Sequence, residues 1–272
     1  MSKVENFEIQ ENDVLIGSGH LKNKDEAKYN RLEHMLQNMQ SNQAYTFFIE
    51  QLSSIDKNTA LADFKNKFKK YREDWNDQPQ EAIRNKLSGK DLENKKKPPL
   101  CIDIEVASIC DLACPFCFRE FVATPDKIID EKLCYDLIDQ AAELKVPSIK
   151  FNWRGEPLLH PKLSKFIQYA KHKGILDTII NTNATNLNET KAKELIDAGL
   201  DHIIYSFDGG SKETYEKNRP GRFKTNTFEK VYENIKTLSR VKSELNSPFP
   251  FTKIQMLLTE ETFNEKDNFY KL

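Results

Sequence analysis

The chain has 272 residues, 38% of them hydrophobic, and a formal net charge of −1 from 41 basic and 42 acidic residues. This length can bury a sizeable core, while the balanced charge gives no field that would steer nucleic acid or anionic lipid toward the protein. The N-terminus lacks the apolar core of a signal peptide, and no apolar run approaches the roughly 18 residues of a membrane span, so we expect a cytoplasmic protein without nucleic-acid partners.

The first predicted unit, residues 1–95, is polar and mainly helical. One helical run carries an apolar stripe at steps of three and four residues, formed by Leu61, Phe64, Phe68 and Tyr71. Such a stripe packs on the rest of the protein or binds a partner, and the pattern leaves both readings open. The two glycines of "GSGH" at 17–20 predict a turn, and the charged, proline-containing stretch at 88–99 predicts a linker.

The second predicted unit, residues 96–272, alternates short apolar runs with helical segments. This βα alternation predicts an α/β fold with parallel strands, of which five are visible, covered by helices. Asp130 is expected to cap the first of these helices, and Gly174 and Gly199 are expected to end later ones.

Polar segments follow four consecutive predicted strands. They read "ASICDLACPFCF", "NWRGEPLLHP", "NTNAT" and "SFDGGSKETYEKNRPG" in chain order. Ligands bind at the carboxyl ends of parallel strands, so these segments predict one functional rim.

Three of the five cysteines follow the first strand with the spacing C-x3-C-x2-C. They are Cys110, Cys114 and Cys117. Three thiolates can bind three irons of a four-iron cluster and leave the fourth iron open, whereas a zinc site needs a fourth ligand, for which His160 is the nearest histidine. Cys101 and Cys134 fall in apolar runs and are expected to be core thiols.

The order of these motifs resembles the radical S-adenosylmethionine (radical SAM) superfamily. Besides the cysteines, "RGEP" at 154–157 resembles that family's Gly-Gly-Glu-Pro segment, and "NTNAT" at 181–185 and the segment at 206–221 resemble its later motifs. The resemblance covers roughly residues 100–260 and implies a partial (βα) barrel. Arg154 departs from the pattern because it replaces the family's usual first glycine.

The resemblance implies that the three cysteines hold a [4Fe–4S] cluster whose open iron binds S-adenosylmethionine. Reductive cleavage of the sulfonium then yields a 5′-deoxyadenosyl radical that attacks a hydrogen atom of the substrate. Such a cluster works at the low end of the accessible potentials, so a flavodoxin- or ferredoxin-type reductant is expected.

The same resemblance assigns the cofactor-binding positions. Gly155 and Glu156 match the turn that receives the amino group of the cofactor, and Pro157 fixes its exit. Thr182, Asn183 and Ser206 match polar positions near the ribose or the methionyl group. Arg219 resembles an arginine that faces the cofactor carboxylate, and Asp208 is expected either to belong to the same cofactor motif or to cap the following helix.

The substrate is not identified by the sequence, and peptide or protein modification and sugar or cell-envelope chemistry both remain open. The matching branch often carries a cysteine-rich C-terminal SPASM extension, which is absent here, and the chain ends after five of six expected strands. We therefore expect a truncated chain. The alternative functions are a noncatalytic iron–sulfur module or inactive fragment and a structural zinc protein.

Overall fold

The computed structural model describes residues 31–52, 56–94, 98–123 and 125–272, without the side chains of 92–94. The helices are α1 (Arg31–Gln37), α2 (Gln43–Glu50), α3 (Lys57–Arg84), α4 (Gly89–Asn94), α5 (Glu131–Glu143), α6 (Leu163–His172), α7 (Glu189–Asp197), α8 (Lys212–Asn218), α9 (Phe228–Glu244) and α10 (Lys266–Phe269). The strands are β1 (Cys101–Asp103), β2 (Ser148–Lys150), β3 (Asp177–Thr182), β4 (His202–Ser206) and β5 (Phe251–Gln255). The turn predicted at 17–20 lies outside the described residues.

The five strands form one parallel sheet in the order β1-β2-β3-β4-β5, and each strand pairs with the next one along the chain. Within the described residues the sheet does not close, because β5 is hydrogen-bonded to β4 alone. The predicted α/β fold with an open, partial barrel is thereby confirmed. Each strand-to-strand connection carries a helix, as parallel pairing requires.

Alternation along the strands gives the sheet two different faces. One face packs against helices α5 to α9 and forms the main apolar core with them. Its strand residues include Ile149, Ile180, Ile203 and Tyr205. The opposite face, called the inner face from here on, carries Lys150, Asp177, Asn181, His202, Phe251 and Lys253. The sheet therefore has an apolar outer layer and a largely polar inner face.

Local signals set several of the helix ends. The carboxylate of Asp130 accepts a hydrogen bond of 3.0 Å from the backbone N–H of Leu133, which confirms the predicted cap of α5. Gly174 and Gly199 follow α6 and α7 with φ of 86° and 78°, the left-handed conformation that glycine adopts without strain.

The N-terminal helices pack on the sheet rather than apart from it. Of the predicted stripe on α3, Phe64, Phe68 and Tyr71 are buried in a second apolar cluster that also includes Phe249, the residue two positions before β5. The packing reading of the stripe is therefore confirmed. The segment predicted as a linker differs from expectation, because part of it forms α4, which ends before the proline pair.

Two buried ion pairs join this helical layer and α6 to the strand starts. Arg31 pairs with Asp177 at the first position of β3, and the hydroxyl of Tyr71 donates to the same carboxylate at 3.2 Å. Lys171 pairs with Asp201 directly before β4. Helices α1 and α3 thus cover the amino-terminal end of the sheet, and they are called the floor helices, or the floor, from here on.

No helix among the described residues is long and apolar enough to cross a lipid bilayer.

The Arg31–Asp177 pair gives a stability test. Asp177→Ala leaves the guanidinium of Arg31 buried without its carboxylate, which typically costs about 3–5 kcal/mol of unfolding free energy. We expect a clearly lower urea midpoint by far-UV circular dichroism. Asp136→Ala, which removes the carboxylate of an exposed pair with Lys132, is the control and should leave the midpoint unchanged. Equal urea midpoints for both variants would show that the Arg31–Asp177 pair does not stabilise the packing of α1 on the sheet.

Candidate functional site

The three clustered cysteines lie in one loop, residues 107–118, that follows β1 and is called the cysteine loop here. Cys114 is buried, Cys110 and Cys117 are half-buried, and all are free thiols. A hydrogen bond of 2.9 Å from the backbone N–H of Cys117 to the carbonyl of Cys114 folds the loop back on itself. The loop therefore carries all three thiols after the carboxyl end of β1.

Gly155 brings the loop after β2 against the cysteine loop. Its φ is +67°, and a Cβ added there would lie 2.2 Å from the carbonyl oxygen of Ala107 and 2.7 Å from that of Ile109. The next backbone N–H, that of Glu156, donates to the same Ile109 carbonyl at 2.9 Å. Only glycine permits this close approach.

Glu156 joins the loop after β2 to the loop after β3. Its carboxylate is 2% exposed and accepts hydrogen bonds from the hydroxyl of Thr182 at 2.6 Å, the backbone N–H of Asn183 at 2.8 Å and the backbone N–H of Leu158 at 3.0 Å. Burial raises the pKa of Glu156 to about 7, although these hydrogen bonds oppose the shift. Pro157 follows at the start of a buried 3-10 turn.

Asp111 fastens the cysteine loop to the loop after β3, and the sequence analysis did not single it out. Its carboxylate accepts hydrogen bonds from Asn183 Nδ2 at 2.9 Å, Thr185 Oγ1 at 2.6 Å and Asn186 Nδ2 at 3.1 Å. Asn183 Nδ2 also lies 3.8 Å from the sulfur of Cys110. The only sequence signal was a carboxylate placed between two clustered cysteines.

The loop after α8 reaches the cysteine loop from the other side. The backbone N–H of Ala113 donates to the carbonyl of Pro220 at 2.9 Å, and the backbone N–H of Arg222 donates to the carbonyl of Asp111 at 2.8 Å. Residues from three neighbouring connections are therefore hydrogen-bonded to the cysteine loop, two of them through backbone groups and the loop after β3 through side chains.

Arg219 lies beside the thiols but already has a carboxylate partner. Its guanidinium donates from Nε to Asp208 at 2.8 Å and from Nη2 to the same oxygen, and Asp208 also accepts from the backbone N–H of Leu257 at 2.6 Å. Asp208 does not cap the following helix, because Ser211 does so through Thr214. The expectation that Asp208 caps the helix is therefore wrong, and its carboxylate pairs with Arg219, which the sequence did not predict.

Arg154 is held by a fork of hydrogen bonds to Glu105, in the segment between β1 and the cysteine loop. The distances are 3.1 Å from Nε and 2.8 Å from Nη2 to one carboxylate oxygen. The arginine that replaces the expected glycine thus joins two rim segments. Ser206, at the end of β4, is half-buried, and no hydrogen bond of its hydroxyl is seen among the described residues.

Burial disfavours the charged form of the bare thiols. It raises the pKa of Cys110 to about 12, and the charge of Glu156 adds to the shift. Burial also raises the pKa of Cys114, against the opposing charge of Arg219. A cation is therefore needed to hold these sulfurs as thiolates, and coordination by a metal deprotonates a thiol outright.

The donor set does not have the arrangement of a mononuclear site. Within the residues that the structure describes, no three His, Cys, Asp or Glu side chains gather as ligands of one metal ion. His160 is engaged through both ring nitrogens, since Nδ1 accepts from the backbone N–H of Lys162 at 3.1 Å and Nε2 lies 3.4 Å from the carbonyl of Ile129. His160 is therefore not free to be the fourth ligand of a zinc site, and three cysteines are the number that leaves one iron of a four-iron cluster open.

The other two thiols lie away from the cysteine loop. Cys134 on α5 is fully buried in the main core, in agreement with the expectation of a core thiol. Cys101 begins β1 and is half-buried.

Comparisons with known proteins identify the family of the chain. The family model of the radical SAM superfamily matches residues 104–272. A GTP 3′,8-cyclase of Chlorobaculum tepidum is 32% identical over 114 residues, which are 42% of this chain and 34% of that protein. A PqqA peptide cyclase of Rhizobium meliloti is 33% identical over 124 residues, which are 44% of this chain and 32% of that protein.

Among solved structures, anSMEcpe with bound AdoMet and the Cp18Cys peptide is similar in fold. It has a TM-score of 0.53 and 22% identity, and the match covers 64% of this chain and 47% of that one. The chain thus spans less than half the length of each of these three proteins. The matched family model extends over more than half of the chain and includes the cysteine loop and the three segments that surround it. The chain therefore belongs to the radical SAM superfamily, whose enzymes use a [4Fe–4S] cluster and S-adenosylmethionine.

Proposed function

We propose that this chain is the catalytic part of a radical SAM enzyme in which Cys110, Cys114 and Cys117 hold a [4Fe–4S] cluster. One observation carries the proposal: the connections after three neighbouring strands are hydrogen-bonded to the loop that carries the three cysteines. When bound, the cluster and S-adenosylmethionine supply a 5′-deoxyadenosyl radical by reductive cleavage of the sulfonium, and that radical removes a hydrogen atom from the substrate.

The protein holds the thiols in place and limits their contact with water. The backbone N–H of Glu156 fixes the entry of the cysteine loop at Ile109, and that of Arg222 fixes Asp111. The amide of Asn183 is directed at the sulfur of Cys110, and such donors tune the reduction potential of a cluster. These contacts restrain the backbone of the cysteine loop, which supports the proposal that its thiols serve as ligands.

For S-adenosylmethionine we propose the turn at Gly155, Glu156 and Pro157 as the site of its amino group. The carboxylate of Glu156 is occupied by its three donors, and the carbonyls of Glu156 and Pro157 accept from the backbone N–H groups of Leu159 and His160. The backbone carbonyl of Gly155 is then the acceptor that we propose for the ammonium.

We propose Ser206 and Arg219 as further contacts of the cofactor. The Ser206 hydroxyl is the available one, because the Thr182 hydroxyl is engaged with Glu156 and with the backbone N–H of Ala184. Arg219 uses Nε and Nη2 for Asp208, which leaves Nη1 for the cofactor carboxylate. Thr182 and Asn183 then act by holding the loop rather than through free side-chain groups.

The proposal includes a flavodoxin- or ferredoxin-type reductant and a reducing cytoplasmic setting. Cysteines that serve as ligands need such a setting, and all five cysteines of the chain are free thiols. The substrate supplies the hydrogen atom that is removed. Relatives and a structural neighbour are named for GTP, for the PqqA peptide and for a bound peptide, which supports a polar substrate.

The enzyme and the noncatalytic module give different results after anaerobic reconstitution with iron and sulfide. We expect about four irons per chain, because three thiolates suffice for one four-iron cluster, together with a brown chromophore. Addition of dithionite and S-adenosylmethionine should then yield 5′-deoxyadenosine. Cys114→Ala should lose the chromophore and the 5′-deoxyadenosine, and Cys134→Ala, which changes a core thiol, should keep both.

Two other outcomes would contradict the enzyme. Iron binding without 5′-deoxyadenosine would favour the noncatalytic module. Tight zinc binding without a chromophore would favour a zinc protein.

Asp111 gives a second test, because its carboxylate anchors the cysteine loop without contributing a thiol. Asp111→Ala removes three hydrogen bonds, and we expect reduced iron content after reconstitution and faster loss of the chromophore to a chelator. Asp111→Asn retains one acceptor oxygen and should show a smaller effect. Asp136→Ala on the exposed face of α5 is the control. Unchanged cluster retention in Asp111→Ala would show that the loop holds its shape without this side chain.

A further inference from the structure

The base of the inner face is a buried, polar contact between the sheet and the floor helices. Asp177 at the start of β3 binds Arg31 of α1 and Tyr71 of α3. On β5, the ring of Phe251 lies 5.6 Å from that of His202 on β4. The proposed radical SAM site lies at the opposite, carboxyl end of the same strands, so this base is a separate place in the fold.

Two buried nitrogen atoms at this base have no hydrogen-bond partner among the described residues. His202 is 6% exposed and its Nε2 is unpaired, and Arg31 is 5% exposed and its Nε is unpaired. Native proteins rarely leave buried polar atoms unsatisfied, and each such atom calls for a bound group or water.

Lys253 adds a cation next to these atoms. Its strand neighbour on β4 is Ile204, so Lys253 and His202 are diagonal neighbours on the same face of a parallel pair. Lys253 is half-buried, and no ion pair or hydrogen bond of its ammonium is seen among the described residues. A lysine on an inner face with no carboxylate beside it is available to an anion.

The charged side chains at the base of the inner face are mainly basic. Arg72 of α3 donates from Nη1 to the hydroxyl of Tyr71 at 3.3 Å, which brings a further guanidinium to the group. Burial lowers the pKa of Lys253, and the charge of Arg31 adds to the shift. Burial also lowers the pKa of His202 well below its usual value, with the charges of Arg31, Lys253 and Arg72 adding to it.

Asp177 is the carboxylate that faces this group from the sheet. Asp201 also acts on Arg31, but it is paired with Lys171 and accepts from the backbone N–H and the hydroxyl of Thr178. The base therefore presents more positive than negative charge in a buried setting. That excess is what an incoming oxyanion would neutralise.

We propose that Lys253, His202 and Arg31 form a binding site for an oxyanion, a phosphate or carboxylate group, at the base of the inner face. The ammonium of Lys253 is the charged contact, and the unpaired nitrogens of His202 and Arg31 complete the set of donors. Arg72 contributes long-range attraction from the floor.

The position of this site bears on the substrate, in a step that rests on the proposed function. His202 and Ser206 are the first and last residues of β4, four residues apart, which corresponds to about 13 Å along a strand. A substrate anchored by its anionic group at the base would extend along the inner face and present its other end at the rim, where the thiols lie. The substrate class is then an extended, polar molecule with a terminal phosphate or carboxylate.

The binding site is tested by calorimetric titration of the full chain with inorganic phosphate and, in a second arm, with acetate. We expect saturable binding of at least one of the two, weakened about tenfold or more in Lys253→Gln, which corresponds to the loss of a charged hydrogen bond. The tighter of the two probes identifies the anion as phosphate or carboxylate. Lys150→Gln, which removes a lysine from the same inner face on β2, should bind as the wild type does.

Lys253→Met is the second variant, because it keeps the aliphatic stem while removing the charge, and its thermal midpoint reports whether it folds. Loss of binding in both Lys253 variants with unchanged midpoints supports the site. Absence of binding in the wild type, or equal binding in the wild type and both Lys253 variants, overturns it. Iron content after reconstitution is measured on the same preparations, so failure of the anion site is distinguishable from failure of the proposed cluster.

Discussion

The loops at the carboxyl end of the sheet, called the rim, depend on one constraint. The cysteine loop is hydrogen-bonded to, or in close contact with, the loops after β2, β3 and α8. Gly155 allows the loop after β2 to touch the backbone at Ala107, and Asp111 takes three donors from the loop after β3. On the third side, the carbonyl of Pro220 receives the N–H of Ala113. Three sulfurs on a short loop can serve a cluster only if the backbone limits their positions, and these contacts restrain that backbone.

Glu156 makes the rim act as one unit. Its buried carboxylate accepts three hydrogen bonds and connects the loop after β2 to Thr182 and Asn183. The side-chain amide of Asn183 in turn contacts Asp111 and the sulfur of Cys110. Displacement of one loop therefore strains the next. The polar residues of these loops are used largely to hold each other, which leaves the Gly155 carbonyl, the Ser206 hydroxyl and Nη1 of Arg219 for a ligand.

The order of elements and the location of the rim were predictable from the sequence because both follow from periodicity. The βα alternation requires parallel strands, and parallel strands bring the segments after them to one edge. The side-chain pairings were not predictable. A guanidinium accepts any carboxylate within reach, so Arg219 with Asp208 and Arg154 with Glu105 emerge only from the folded geometry. The role of Asp111 was missed for the same reason.

The floor helices show why a polar N-terminal segment is placed against a sheet. Burial of an ion pair adds little net stability compared with apolar packing, but an unpaired partner is costly, so such a pair favours one docking geometry over its alternatives. Arg31 with Asp177 specifies where α1 lies, while the apolar stripe of α3 supplies the packing free energy. The same arrangement leaves His202 and Lys253 with incomplete partners at the base of the inner face. The floor helices therefore cover the amino-terminal end of the sheet in a position that the ion pair specifies. The excess of positive charge that remains there is the basis of the anion site that we propose.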